Sequence, residues 1–296
     1  MTTKKTFLKL DPEFCAEETA FFHILPIPYE GAVSFLGGAA RGPDAILDVS
    51  DQMEYIDERY KKPFWSRGVY THEPIPPADS PEQEVARIEQ VARRLDLFRP
   101  ERLPIALGGD HSVSGPLIRV AAEKYPKLSV LQFDAHSDLR DSYEPGGKNS
   151  HASVMARALE VVDTLVQVGI RSFSEEDLDR FPQQVDNFIT PDQVEDNFAA
   201  VQRDILERTS EYVYLTIDMD VFDPAVAPGV GTPEPGGMTW RQVTRLLETV
   251  VAAKRVVGVD VVETAPLGGG NILTEYAAAR LVAKIMTAFE RKLAAQ

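Results

Sequence analysis

Cysteine is nearly absent from this chain of 296 residues: Cys15 is the only one, so no intrachain disulfide can form, and a reducing, cytoplasmic setting is expected. Positive charge is also scarce. The 31 Lys and Arg residues face 46 Asp and Glu, a net charge of −15, and no Lys/Arg-rich run is present. Such a chain does not grip a phosphate backbone, so nucleic acid is not an expected partner. Long apolar runs are missing too. Each is broken by charge well before the roughly 18 residues that a membrane span needs, so no membrane partner is expected. The opening segment from Met1 to Phe7 leads into Asp11 and Glu13 rather than an apolar stretch, so it does not read as a secretory signal. Fixed-period repeats, low-complexity tracts and Gly/Ser linkers are absent, which leaves residues 1–296 as one expected domain.

What is present is an alternation of helix and strand signals. Ser80, Pro81 and Gln83 form a helix start with a capping box, and Val85, Ile88, Val91, Ala92 and Leu95 follow at helical spacing. Similar starts occur at Thr190-Pro191 with Gln193, and at Thr239 with Gln242. The latter opens a helix with Val243, Leu246, Leu247 and Val250 on one face. Between them, short apolar runs read as buried strands: Leu103–Leu107, Leu128–Phe133, Leu165–Ile170, Tyr212–Ile217 and Val256–Val262. Strands alternating with amphipathic helices imply βαβ units and a mainly parallel sheet covered on both faces. A closed barrel fits the length, but eight comparably clean strand–helix pairs are not found. The expected fold is an α/β, open three-layer α/β/α sandwich.

Four of these runs end directly in polar clusters: Gly108-Gly109-Asp110-His111-Ser112, Asp134-Ala135-His136-Ser137-Asp138, Asp218-Met219-Asp220 with Asp223-Pro224, and Glu263-Thr264-Ala265-Pro266. Active sites of parallel α/β folds lie outside the carboxyl ends of the strands, so the clusters should converge. If the chain stays extended, Asp134, His136 and Asp138 at i, i+2 and i+4 face one volume. Asp218 and Asp220 repeat that spacing. Four carboxylates in one pocket repel strongly unless cations neutralise them. Imidazole with carboxylate suits Mn²⁺, Fe²⁺, Ni²⁺ or Zn²⁺, and shared carboxylates suit a pair of ions. A single Asp-x-Asp is more simply a turn or helix cap. The combination at four strand ends points to a metal centre.

On these residues the chain resembles the ureohydrolases, the arginase–agmatinase family of dinuclear manganese hydrolases. The likeness runs from Gly37-Gly38-Ala39-Ala40-Arg41-Gly42-Pro43 to Glu263. It is strongest in Gly-Gly-Asp-His-Ser, Asp-Ala-His-Ser-Asp and the stretch from Asp218 to Pro224, which continues into an agmatinase-like Ala227-Pro228-Gly229-Val230-Gly231-Thr232-Pro233. The resemblance implies an arginase-like fold and two Mn²⁺ per subunit, with Ni²⁺ as the alternative. One ion would be held by His111, Asp134, Asp138 and Asp218, the other by Asp134, His136, Asp218 and Asp220, with Asp134 and Asp218 bridging and Asp110 orienting. Two ions roughly 3.5–4 Å apart lower the pKa of a bridging water, which attacks the guanidinium carbon as hydroxide. Glu263 would bind and orient the guanidinium. Asp138 would hydrogen-bond the hydroxide and pass a proton to the leaving amine. His151, after Asn149-Ser150, fits a substrate-side proton shuttle, although Ala152 stands where the family has glycine. His23 and His72 match nothing and read as structural. The family also implies a homo-oligomer, a trimer or hexamer.

The implied substrate is a cationic guanidino compound, agmatine first, giving urea and putrescine in polyamine biosynthesis. Arginases carry Asn two residues beyond the Asp-x-His-x-Asp motif, where this chain has Arg140. Arg140 is expected to pair with Asp141 or Glu144 at the surface. Pointing inward, it would favour a carboxylate such as 4-guanidinobutyrate. Leu267-Gly268-Gly269-Gly270-Asn271 replaces the aromatic–Asp pair of agmatinases, and is expected to lie beside the site. Guanidinobutyrase, guanidinopropionase, guanidine hydrolase and arginase activities are the alternatives. A non-catalytic protein on the same scaffold would lack a ligand, and none is missing. A zinc amide hydrolase on the related deacetylase scaffold is disfavoured by the paired aspartates and Glu263.

Overall fold

The strands follow from short apolar runs buried on both faces. In the computed structural model, which describes residues 4–31 and 33–295, they are β1 (Phe22–Ile27), β2 (Val69–Thr71), β3 (Leu103–Gly108), β4 (Ser129–Phe133), β5 (Thr164–Val168), β6 (Tyr212–Asp218) and β7 (Arg255–Val262). Of the segment from Met1 to Phe7, Met1–Thr3 lie outside the described residues. The strands form one sheet in the order β2-β1-β3-β7-β6-β4-β5, and every pairing is parallel. Leu215 and Ile217 of β6 enter one apolar cluster with the helices Gly42–Ser50, Trp240–Ala253 and Leu273–Ala294, whereas Tyr214 enters a second with Pro81–Arg94 and Ser114–Lys124. Ile105 and Ala106 of β3 divide in the same way. Every strand but the short β2 thus feeds two cores, as an open three-layer sandwich requires.

The helix starts also follow the sequence. Ser80 caps Pro81–Arg94 by accepting from Gln83 N–H, and its hydroxyl donates to Glu82, but Ser80 N–H makes no reciprocal bond to the Gln83 side chain, so the expected box is half formed. Thr190 with Gln193 and Thr239 with Gln242 form complete reciprocal boxes. All the expected strands are present within a few residues of their expected ends. β1 and β2 are additional: β1 contains His23 and Pro26, which do not read as a buried strand, yet it pairs on both sides. Among the described residues no helix is long and apolar enough to cross a membrane.

The order places β3, β7, β6 and β4 side by side. Their carboxyl ends therefore deliver the four polar clusters to one edge of the sheet.

Candidate metal centre

Local turns and contacts from the neighbouring strand together fix the polar residues. Gly109 N–H donates to Ile27 O, and a Cβ on Gly109 would stand 1.8 Å from Tyr29 O, so only glycine permits the turn after β3. Asp110 then accepts from Ser112 N–H (3.0 Å) and from Gly31 N–H (3.0 Å), which pins the short turn His111–Val113. After β6, Asp218 Oδ1 accepts from Asp220 N–H (2.8 Å) and caps the turn Met219–Val221. Asp138 and Glu263 have left-handed backbones, with φ of 55° and 61°, an uncommon state for residues with a side chain.

The extended run expected from Asp134 to Asp138 is formed only in part: Ser172 N–H donates to Ala135 O and Ser137 N–H donates to Ser172 O, a parallel bridge centred on His136. Asp134 Oδ1 accepts from His136 N–H (2.6 Å), which bends the chain at its start, and Asp138 leaves the extended region with its positive φ. The three side chains still reach one region. His111, Asp134 and Asp218 form one group of closely spaced ligand atoms, and Asp134, His136 and Asp220 form a second. Asp134 is shared between them. Asp218, expected to bridge, falls in the first group alone, its Oδ1 being engaged by Asp220 N–H. Asp138 Oδ2 lies 3.0 Å from His111 Nδ1.

The residues present fit a cation. His111 Nδ1 is buried, with Asp134 Oδ2 at 3.0 Å, Asp138 Oδ2 at 3.0 Å and Asp218 Oδ2 at 3.4 Å, yet it makes no hydrogen bond to any of them. In the second group His136 Nδ1 lies 2.9 Å from Asp220 Oδ2 and 3.7 Å from Asp134 Oδ1. Charge balance says the same. Burial first, then repulsion from Asp220 and Asp134, pushes Asp218 well above the usual carboxylate range. Burial and Asp134 raise Asp138, and burial and Asp110 raise Glu263 well above its usual range. Burial alone would lower His136, but Asp220 and Asp134 draw its pKa up to about 12. The groups thus demand positive charge that the side chains alone supply poorly.

These residues floor a cavity of about 210 Å³, lined by His111, His136, Asp138, Asp218 and Glu263 and walled by Ser34, Arg140, Tyr143, His151, Phe173 and Asp177. Glu263 Oε1 accepts from His111 N–H at 2.8 Å, so this acid is fixed to the first group. His151 stands at the wall, its Nε2 3.2 Å from Ser34 Oγ and its ring edge-on to Tyr143. His23 and His72 lie elsewhere, buried and 3.0 Å apart, in the structural role expected of them.

Two expectations are corrected. Arg140 does not pair with Asp141 or Glu144: its guanidinium lies over the Tyr143 ring, 4.8 Å from the centroid, and lines the cavity. Asp141 is held instead by Arg157 (3.1 Å), Arg180 (3.0 Å) and Lys148 (3.9 Å), two of which come from helices distant in sequence. The glycine loop is not part of the site. None of Leu267–Asn271 lines the cavity, and Gly268, Gly269 and Gly270 all take positive φ in a tight turn closed by Asn271 N–H to Gly268 O.

Some residues escaped the sequence reading. Gln132 Nε2 donates to Asp134 Oδ2 (2.7 Å), and buried Asp177 receives Ser137 Oγ (2.7 Å) and Ser174 N–H (2.8 Å) at the cavity wall. Thr216 Oγ1 lies 2.8 Å from His111 Nε2 and donates to Asp260. The one available signal was Asp260, an acid inside the apolar run Val256–Val262.

A model of the arginase family matches residues 20–288. The chain is 38% identical over 268 residues to the N(1)-aminopropylagmatine ureohydrolase of Thermus thermophilus, covering 90% of this chain and 89% of that one. It is 32% identical over 294 residues to an agmatinase of Bacillus cereus, covering 95% of each. Among solved structures, the agmatine ureohydrolase of Thermoplasma volcanium superposes with a TM-score of 0.87 at 29% identity, covering 100% of this chain and 98% of that one.

Proposed function

Since the chain belongs to the arginase family, we propose that it hydrolyses the guanidinium group of agmatine or a close derivative, releasing urea and the free amine. The observation that carries this reading is the pair of His/Asp groups sharing Asp134, with Glu263 tied to the first of them. His111, Asp134, Asp138 and Asp218 would hold one divalent ion, and Asp134, His136 and Asp220 the other, with Asp134 common to both groups. We assign Mn²⁺, with Ni²⁺ as the alternative, and a homo-oligomer of three or six chains. When bound, such a pair supplies an ionised water at neutral pH and offsets the four aspartates.

The chain's own residues do the rest. Glu263, anchored through Oε1 by His111 N–H, offers its other oxygen to the guanidinium N–H groups and fixes the carbon over the floor of the cavity. Asp138 takes the proton of the attacking water and gives it to the departing amine nitrogen. His151, at the wall beside Ser34, would supply from solvent the second proton that turns the departing amine into an ammonium.

Agmatine is the first reading. N1-aminopropylagmatine is the second, favoured by the 38% identity to the Thermus enzyme. The two molecules share the guanidinobutyl arm, so the same floor serves both, and hydrolysis gives putrescine or spermidine. Urea release by the Mn²⁺-loaded protein should be measured from both, and from arginine, 4-guanidinobutyrate, 3-guanidinopropionate and guanidine. Turnover of agmatine or its aminopropyl derivative above the others is expected. No urea from any of the six would overturn the reading.

A further inference from the structure

Behind the first group lies a buried hydrogen-bond chain whose members beyond His111 neither line the cavity nor belong to the ligand set. It runs from His111 Nε2 to Thr216 Oγ1 (2.8 Å), then to Asp260 Oδ1 (2.6 Å), and Tyr214 O–H closes it on Asp260 Oδ2 (2.8 Å). All four residues are 1% exposed or less. They are drawn from the turn after β3 and from the adjacent strands β6 and β7.

Hydrogen counting gives this chain a direction. Thr216 and Tyr214 each have one hydroxyl hydrogen, and each hydroxyl lies against a different oxygen of the same carboxylate. Asp260 therefore accepts on both oxygens. Thr216 spends its hydrogen on Asp260 at 2.6 Å rather than on Ser114 Oγ at 3.4 Å, which leaves a lone pair for His111. A 2.8 Å contact between that lone pair and Nε2 requires the hydrogen to sit on Nε2. His111 Nδ1 is then the nitrogen that faces Asp134, Asp138 and Asp218, and a cation held among those carboxylates would take the place of its proton.

We propose that Asp260, acting through Thr216 and supported by Tyr214, is a positioning residue that locks His111 in its Nε2–H form, so that Nδ1 is held ready for the metal. The inference rests on the reading of His111 as a metal ligand. It adds residues that touch neither the ion nor the substrate. His136 is built differently: its Nε2 faces Glu234 at 3.9 Å, and its side chain is 24% exposed. The buried lock is specific to the first group.

The test is Mn²⁺ affinity, read from the electron paramagnetic resonance signal of free Mn²⁺ during titration of the metal-stripped protein. Thr216→Val keeps the shape of the side chain and removes the hydroxyl. It should weaken the tighter-affected site by about 10–100-fold, the usual cost of losing an outer partner. Thr216→Ser should bind within about threefold of wild type, because the hydroxyl is what acts. Tyr214→Phe, a milder change, should weaken binding in the same direction by less. An independent reading needs no variant: ¹⁵N–¹H spectra of the Zn²⁺-loaded wild type should show one histidine with a slowly exchanging proton on Nε2, absent after Thr216→Val. Wild-type Mn²⁺ affinity in folded Thr216→Val, or a His111 proton on Nδ1, would overturn the proposal. Failure of the wild type itself to bind Mn²⁺ would instead overturn the reading of the site on which it rests.

Discussion

Asp134 Oδ2 lies 3.0 Å from His111 Nδ1, while its other oxygen, Oδ1, lies 3.7 Å from Nδ1 of the second histidine, His136. One carboxylate therefore serves both ligand groups, and its loss has a different signature from the loss of an outer ligand. Asp134→Ala should remove both ions, whereas His136→Ala or Asp220→Ala should leave about one Mn²⁺ per chain. All three should cost more activity than the roughly 10–100-fold of an outer-partner change. Their melting temperatures should stay near that of the metal-free wild type, because the ligands sit in turns beyond the strand ends. Metal analysis after gel filtration, with circular dichroism as a fold check, decides between these outcomes.

Glu263 holds its position through His111 N–H and its assigned work through charge. Glu263→Gln keeps an oxygen for that N–H and gives up the charge. Hydrogen bonds to charged groups are worth about 1.5–3 kcal/mol, so kcat/KM should fall by about 10–150-fold. Mn²⁺ content should be unchanged. An equal loss of metal and activity would make Glu263 a support for the metal groups rather than the guanidinium anchor.

Arg140 carries a positive charge on the cavity wall, stacked on Tyr143. A cation there opposes the distal ammonium of agmatine and attracts a carboxylate. Arg140→Gln should therefore lower KM for agmatine by about twofold to fivefold, the scale of a partly exposed charge interaction. KM for 4-guanidinobutyrate should rise. A rise in KM for both would show that Arg140 shapes the wall through Tyr143 and not through its charge.

Acid stability should report on His23 and His72, away from the site. Burial first, then Arg102, lowers His23 to about 3, and burial lowers His72 to about 4, both from 6.5. A histidine with a depressed folded pKa binds its proton more readily when unfolded. Its contribution is fully present above pH 6.5 and is lost as the pH falls below it. Each histidine should remove about 1.4 kcal/mol per pH unit between pH 6 and about 4. Urea denaturation at stepped pH measures this, and His72→Gln should flatten the slope. An unchanged slope in that variant would assign the acid sensitivity to other groups.

The sequence carried the site better than it carried the site's surroundings, for a physical reason. His111, Asp134, Asp218 and Glu263 follow apolar runs directly, and parallel strands bring their carboxyl ends together whatever the details of the loops. The extension of Asp134–Asp138 holds around His136, paired with Ser172, and is limited by the bond from His136 N–H to Asp134 and by the positive φ of Asp138. Arg140 was misplaced because the partners that claim Asp141, Arg157 and Arg180, come from distant helices. β1 was hidden by His23 and Pro26, whose places in the sheet depend on neighbours far along the chain. Thr216 was invisible, since a threonine in a strand is ordinary, and only the lone acid Asp260 in an apolar run hinted at what stands behind His111.

The shared-carboxylate centre is tested most directly by titrating Mn²⁺ into the metal-stripped chain while following urea release from agmatine and N1-aminopropylagmatine on the same samples. Activity should rise with occupancy and reach its plateau at about two Mn²⁺ per chain, and Asp134→Ala should neither bind nor turn over. Full activity in the metal-free chain, or a plateau at one Zn²⁺ per chain with no response to Mn²⁺, would contradict a dinuclear ureohydrolase.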